Sequence, residues 1–143
     1  MDTVAVTGGN GELGTALLST LADRGYRTVN LSRGDRREQV ADRYLRTDLL
    51  DPGEVYGSLA RADPDAVAHF GTIPRPDETP GHVTFRSNAQ TPYHVLEAAQ
   101  SLGIETVVLA SSLSAMGAGF EAEVGVEYLP VDEAHPLTPS NPY

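Results

Sequence analysis

Apolar positions along the chain fall into two alternating patterns: short β-branched runs, and longer stretches with helical spacing. Residues 3–7 (TVAVT), 27–31 (RTVNL), 44–47 (YLRT), 66–70 (AVAHF) and 106–110 (TVVLA) are runs of the first kind, and they predict five strands. Between the first two, Leu13, Leu17, Leu18, Leu21 and Ala22 recur at helical spacing, and Gly25 supplies the stop. Asp51 and Pro52 read as the N-cap and first residue of a second helix that buries Val55, Leu59 and Ala62. Phe85, Ala89, Pro92, Leu96, Ala99 and Leu102 step by three and four, predicting a long third helix with a local bend at Pro92. Residues 33–42 predict a polar loop with a short helix, and 72–82 a proline-rich loop. The chain is irregular after Ser111, a stretch of Gly, Pro and acids.

Strands that are apolar throughout, alternating with helices, imply a parallel sheet covered on both faces. Right-handed crossovers and a glycine-rich first turn narrow this to a doubly wound, Rossmann-type α/β fold with strand order 3-2-1-4-5. At 143 residues the chain has the length of one domain.

Composition removes several classes of function. There is no Cys, which excludes a disulfide scaffold, a thiolate zinc site and cysteine catalysis. No apolar run approaches the roughly 20 residues that span a bilayer, and the N-terminus lacks a basic segment followed by an apolar one. A soluble cytoplasmic protein is the expectation. Twenty acids oppose ten basic residues for a net charge of -10, which argues against nucleic acid or an anionic membrane as partner. No pair of the four histidines has metal-ligand spacing on one element, so no metal is expected. His69 falls in a core strand, where a hydrogen-bonded interior role is expected.

The most informative motif is Thr7-Gly8-Gly9-Asn10-Gly11-Glu12-Leu13-Gly14, between the first strand and the first helix. Gly8 permits a tight turn, Gly11 lets the backbone approach a pyrophosphate, and Gly14 allows close helix–strand contact. The helix N-terminus adds N–H groups and a positive dipole. An NAD-preferring site would place an acid at the end of the second strand, to hold the ribose diol. Ser32 and Arg33 stand there instead. This pair leans toward NADP over NAD, the alternative being that Arg33, Arg36 and Arg37 are a solvated face.

The TGxxGxxG spacing resembles the short-chain dehydrogenase/reductase superfamily. Further segments resemble its extended type, the NAD-dependent epimerase/dehydratase family: TDLLD at the third strand, HFGTIP after the fourth, SNAQTPYHVLEAAQSLG along the long helix, VVLASSLSAMG at the fifth strand, and DEAHPLTPSNPY. The resemblance runs through the whole chain in order. It implies that Asp48 and Leu49 meet the adenine, and that Phe70, Gly71 and Thr72 line the cofactor. Gly71-Thr72 departs mildly from the family's pair of small residues. Asn88 would support this region, and Ala110 and Ser111 would border it alongside Gly8, Gly11, Glu12, Leu13 and Gly14. Ser112 and Tyr143 would be the catalytic pair, with Ser112 and Ser114 at the substrate. Met116 stands where the family often has Tyr.

The resemblance implies a sugar or nucleotide-sugar epimerase or dehydratase working by hydride transfer. A dehydrogenase or reductase of the same family is the alternative, as is a dinucleotide-binding sensor without turnover. The family's Lys four residues past the Tyr, its sixth strand and its substrate lobe all lie beyond residue 143. The expectation is therefore an incomplete Rossmann domain over residues 1–143. It would itself be a poor catalyst, and would be stable with its remainder or as a homo-oligomer covering the fifth strand's edge.

All ten basic residues are Arg, with no Lys. An acidic, Lys-free surface resembles proteins of salt-loving organisms; Arg-favouring codon usage is the competing explanation. Thermal melts separate them: a halophilic surface is expected to melt higher in molar KCl than in dilute buffer, and no gain from salt leaves codon usage.

Overall fold

The computed structural model describes residues 2–35, 41–75, 78–117, 126–141 and 143. Its strands are β1 (Thr3–Thr7), β2 (Arg27–Ser32), β3 (Arg43–Arg46), β4 (Ala66–His69) and β5 (Thr106–Leu109). They form one sheet in the order β3-β2-β1-β4-β5. Every neighbouring pair is parallel, with Thr7 level with Leu31 on one side and His69 on the other. The helices are α1 (Glu12–Asp23), α2 (Pro52–Ala62) and α3 (Gly81–Leu102), followed by a 3-10 turn at Leu113–Met116. This is the doubly wound order expected from the sequence. None of the described helices is long and apolar enough to cross a membrane.

Alternation along the strands divides the core in two. Ala5, Val29, Leu31 and Val67 face α2 and α3, where Val55, Leu59, Val95 and Ala98 close over them. Val4, Val6 and Ala68 face the other way, toward Leu18 of α1, with Leu17, Leu21 and Tyr26 at the margin. Fully burying one Leu or Val side chain contributes on the order of 2 kcal/mol, so these two layers carry the sheet.

Two helical faces differ from expectation. In α1, Leu13 is 68% exposed, and Gly14 and Leu18 are the buried positions; Leu13 lies in the first turn, at the rim of a cleft. In α3 the buried stripe is Thr84, Ser87, Thr91, Val95, Ala98 and Ala99, while Phe85 and Leu96 face outward. The hydroxyls tolerate burial because they bond within the fold: Thr91 Oγ1 donates to the Ser87 carbonyl at 2.8 Å, and Thr84 Oγ1 meets Thr79 Oγ1 at 2.8 Å. The helix runs as one element through Pro92. Of the stretch 33–42, where a loop with a short helix is expected, residues 36–40 lie outside the described residues, Arg36 and Arg37 among them.

At the edge strand β5, Val108 is 55% and Leu109 39% exposed, while Val107 packs toward the α2–α3 core. The start of α2 is as the sequence indicated. Asp51 caps it, one carboxylate oxygen accepting the Gly53 N–H at 2.8 Å and the Glu54 N–H at 3.0 Å, with Pro52 at the first position. Asp51→Ala is expected to cost about 1 kcal/mol, read as a lower urea midpoint at unchanged slope.

Candidate functional site

Just past the C-terminal ends of β1 and β4 the two backbones approach so closely that only glycine fits. Gly8 has φ +69°, and a Cβ on it would lie 2.7 Å from the Gly71 backbone. A Cβ on Gly14 would lie 2.3 Å from the Gly8 carbonyl, so α1 starts hard against the turn. Gly11 is the N-cap of α1 and brings no side-chain cap. The helix therefore presents its first turn without an oxygen of its own to satisfy the N–H groups.

Two clefts meet at this turn, and Gly8, Gly11, Phe70 and Thr72 line both. The first, about 550 Å³, is lined by Ser32, Arg33, Asp48, Leu49 and Gly71. Ser32 is buried: its hydroxyl donates to Asn30 Oδ1 at 2.7 Å and accepts the Asn10 N–H at 3.2 Å. Arg33 and Asp35 stand exposed at the same end. Asp48 Oδ1 accepts the Leu50 N–H at 3.1 Å, so this residue both shapes its turn and lines the cleft.

The second cleft, about 640 Å³, gathers Glu12, Leu13, Gly14, Asn88, Ala110, Ser111, Ser112 and Tyr143. Asn88 clasps the loop after β4 from α3, accepting the Ile73 N–H at 2.9 Å and donating to the Ile73 carbonyl at 3.0 Å. Ser112 is the N-cap of the 3-10 turn, its Oγ accepting the Ser114 N–H at 3.1 Å. Tyr143 comes from a distant part of the chain. The segment before it is fastened to the same turn by Thr138, whose N–H donates to the Ala115 carbonyl and whose hydroxyl donates to the Met116 carbonyl, both at 3.0 Å. Ser114 is the exception among the expected site residues: the turn carries it inward, it is 5% exposed, and it lines neither cleft.

Residues 4–143 match the model of the NAD dependent epimerase/dehydratase family. The chain belongs to this family. It is 31% identical over 147 residues to a UDP-glucose 4-epimerase of Rhizobium leguminosarum bv. trifolii, covering 99% of this chain and 43% of that protein. It is 32% identical over 146 residues to a UDP-glucose 4-epimerase of Azospirillum brasilense, covering 98% and 40%. Among solved structures, the Thermus thermophilus UDP-glucose 4-epimerase in complex with NAD superposes with a TM-score of 0.80 at 26% identity, over 99% of this chain and 46% of that one. The chain thus spans about two fifths of the length of the epimerases it matches.

The residues lining the two clefts that the sequence did not single out as site residues include Asp35, Thr91 and Arg75. Asp35 lines the first cleft beside Arg33, and Thr91 reaches it from α3. Arg75 lines the second, near Glu78 at 4.0 Å. The charged residues sit on loops, where no periodic pattern marks a direction. Thr91 belongs to the buried hydroxyl stripe that the apolar spacing of α3 concealed.

His69, at the end of β4, is 1% exposed, and desolvation pushes its pKa down from 6.5 to about 4. It is therefore neutral in the folded chain at pH 7, as an interior role requires. Between pH 6.5 and 4 the unfolded chain binds the proton and the folded one does not, so stability falls as pH falls through that window. The loss amounts to about 3 kcal/mol. Asp65 acts lower. The Thr3 and Asp2 N–H groups hold its carboxyl below the usual 3.8, so its contribution is present above that value and fades beneath it. Urea midpoints from pH 7 to 4 should decline in the wild type and decline less in His69→Asn.

Proposed function

We propose that this chain is the cofactor-binding part of a sugar or nucleotide-sugar epimerase or dehydratase. The observation that carries the reading is the Gly8 turn. It sets the uncapped start of α1 at the junction of one cleft lined by Asp48 and another lined by Ser112 and Tyr143. The turn fits a dinucleotide because a side chain at Gly8 would fill the crossing, and because N–H groups at a helix start favour a diphosphate. Phe70, Gly71 and Thr72 would form the strap along it, with Asp48 and Leu49 at the adenine. Asn88, Ala110 and Ser111 would bound the nicotinamide side. The epimerase relatives support a nucleotide sugar as substrate, and further copies of this chain are the proposed protein partners.

At the adenosine end, Ser32 and Arg33 favour a 2′-phosphate. Two observations weigh toward NAD: Asp35 puts a carboxylate into the same cleft, and the Thermus relative is an NAD complex. NAD is the proposed cofactor. When bound, it supplies a hydride acceptor for a substrate carbinol. Ser112 would orient the substrate oxygen by a hydrogen bond, its Oγ being at the rim of the cleft even while it caps the turn. Tyr143 would take the hydroxyl proton.

Calorimetric titration with NAD and NADP tests the reading. Saturable binding is expected, tighter for NAD. Gly8→Ala should weaken it by about tenfold or more, since a strained turn costs of order 1–3 kcal/mol. Absence of binding to either dinucleotide overturns the proposal, and tighter binding of NADP overturns the choice of NAD.

A further inference from the structure

We propose that His69 is a positioning residue for the cofactor site: through Thr7 it holds the Phe70 and Gly71 amides of the Phe70–Gly71–Thr72 strap, which borders both clefts. The identity of what the strap positions rests on the cofactor reading above; the relay itself rests on hydrogen-bond geometry alone.

Thr7 Oγ1 is the centre of the relay. It accepts the N–H groups of Phe70 and Gly71, both at 3.2 Å, the Phe70 N–H being shared with the Thr7 carbonyl. A hydroxyl has two acceptor sites and one proton. With both acceptor sites taken, its proton goes to His69 Nδ1, 2.7 Å away. That makes Nδ1 the acceptor and leaves the ring proton on Nε2. On the far side, Thr91 Oγ1 donates to the Ser87 carbonyl at 2.8 Å. It is therefore an acceptor for the Nε2 proton at 3.3 Å. With these roles donation runs from the strap amides through Thr7 and the ring to Thr91, and from there to the Ser87 carbonyl of α3, with the Gly71 carbonyl a longer second acceptor at 3.4 Å.

Each atom of the relay is placed by an element already described. Thr7 and His69 are register partners in β1 and β4, and Thr91 is on the buried stripe of α3. All three are at most 1% exposed, so water cannot replace a lost partner. An ionised ring would turn Nδ1 into a donor facing the Thr7 proton, and burial keeps the ring neutral. A purely space-filling histidine would need neither this tautomer nor this direction.

The first test needs no variant. Nitrogen NMR of the labelled chain at pH 7 should show His69 protonated at Nε2 and bare at Nδ1; a proton on Nδ1 overturns the relay. Two variants then separate positioning from packing. His69→Asn can put an amide oxygen where Nδ1 lies; His69→Leu leaves the Thr7 hydroxyl without its acceptor. Leaving a buried group unpaired corresponds to about a tenfold effect. In His69→Leu, the Phe70 and Gly71 amides should exchange about tenfold faster relative to Ala5 and Val67, and the Kd for NAD should rise about tenfold. His69→Asn should keep both near wild type. Equal acceleration at the strap and in the strands, or equal Kd values for the two variants, overturns the proposal. A wild-type chain that binds no NAD overturns the cofactor reading, while the tautomer and the exchange pattern still decide the relay.

Discussion

The near-contact of the Gly8 and Gly71 backbones is the constraint on which the rest of the site depends. β1 and β4 are paired up to Thr7 and His69, and Gly8, one residue past Thr7, still lies against Phe70 and Gly71, one and two residues past His69, with no room for a Cβ between them. Because the crossing is that close, α1 begins against the turn, and the segment after β4 becomes a strap with a cleft on either side. A bulkier crossing would push the strap outward and merge or close both clefts. The sheet core supplies the rigidity for this, since Ala5, Val6 and Leu31 are fully enclosed.

Much of the fold was readable in advance because its determinants are local. The central strands β1, β2 and β4 are buried on both sides almost throughout, so their runs stand out without any pattern of alternation. α2 announces itself through Asp51 and Pro52, whose cap geometry is a property of four consecutive residues. The face of α3 was readable only toward its end, where Ala99 is buried and Leu102 packs against the core. Its buried positions are hydroxyl-bearing at Thr84, Ser87 and Thr91, and a buried hydroxyl is cheap only when a partner is in place, which is a fact of three dimensions. Apolar Phe85 and Leu96 therefore drew the wrong face. At the site, the glycine turn could be identified from its spacing, whereas Thr138 could not: its two bonds to the 3-10 turn join residues more than twenty positions apart. Ser114 shows the converse, a residue beside Ser112 in sequence that the tight turn directs into the interior.

Charge poses a separate question, since a chain of net charge -10 is proposed to hold an anionic dinucleotide. The repulsion from distant carboxylates is screened over roughly 8 Å at physiological salt. Hydrogen bonds from a helix start act at contact distance and are not screened in the same way. Among the described residues, each cleft is lined by one cation and two acids: Arg33 with Asp35 and Asp48 in the first, Arg75 with Glu12 and Glu78 in the second. The described side chains along the groove are thus acidic in balance, leaving the backbone N–H groups as the main source of attraction for an anion.

The attachment of Tyr143 differs in kind from that of the glycine turn. The turn is seated on paired strands, whereas the segment leading to Tyr143 reaches the 3-10 turn through the two Thr138 bonds, and Thr138 is exposed. The groove accordingly has a floor set by the pairing of β1 and β4 and, on the Ser112 side, a wall set by the 3-10 turn and the segment that Thr138 ties to it, so that its two sides owe their shape to different parts of the chain.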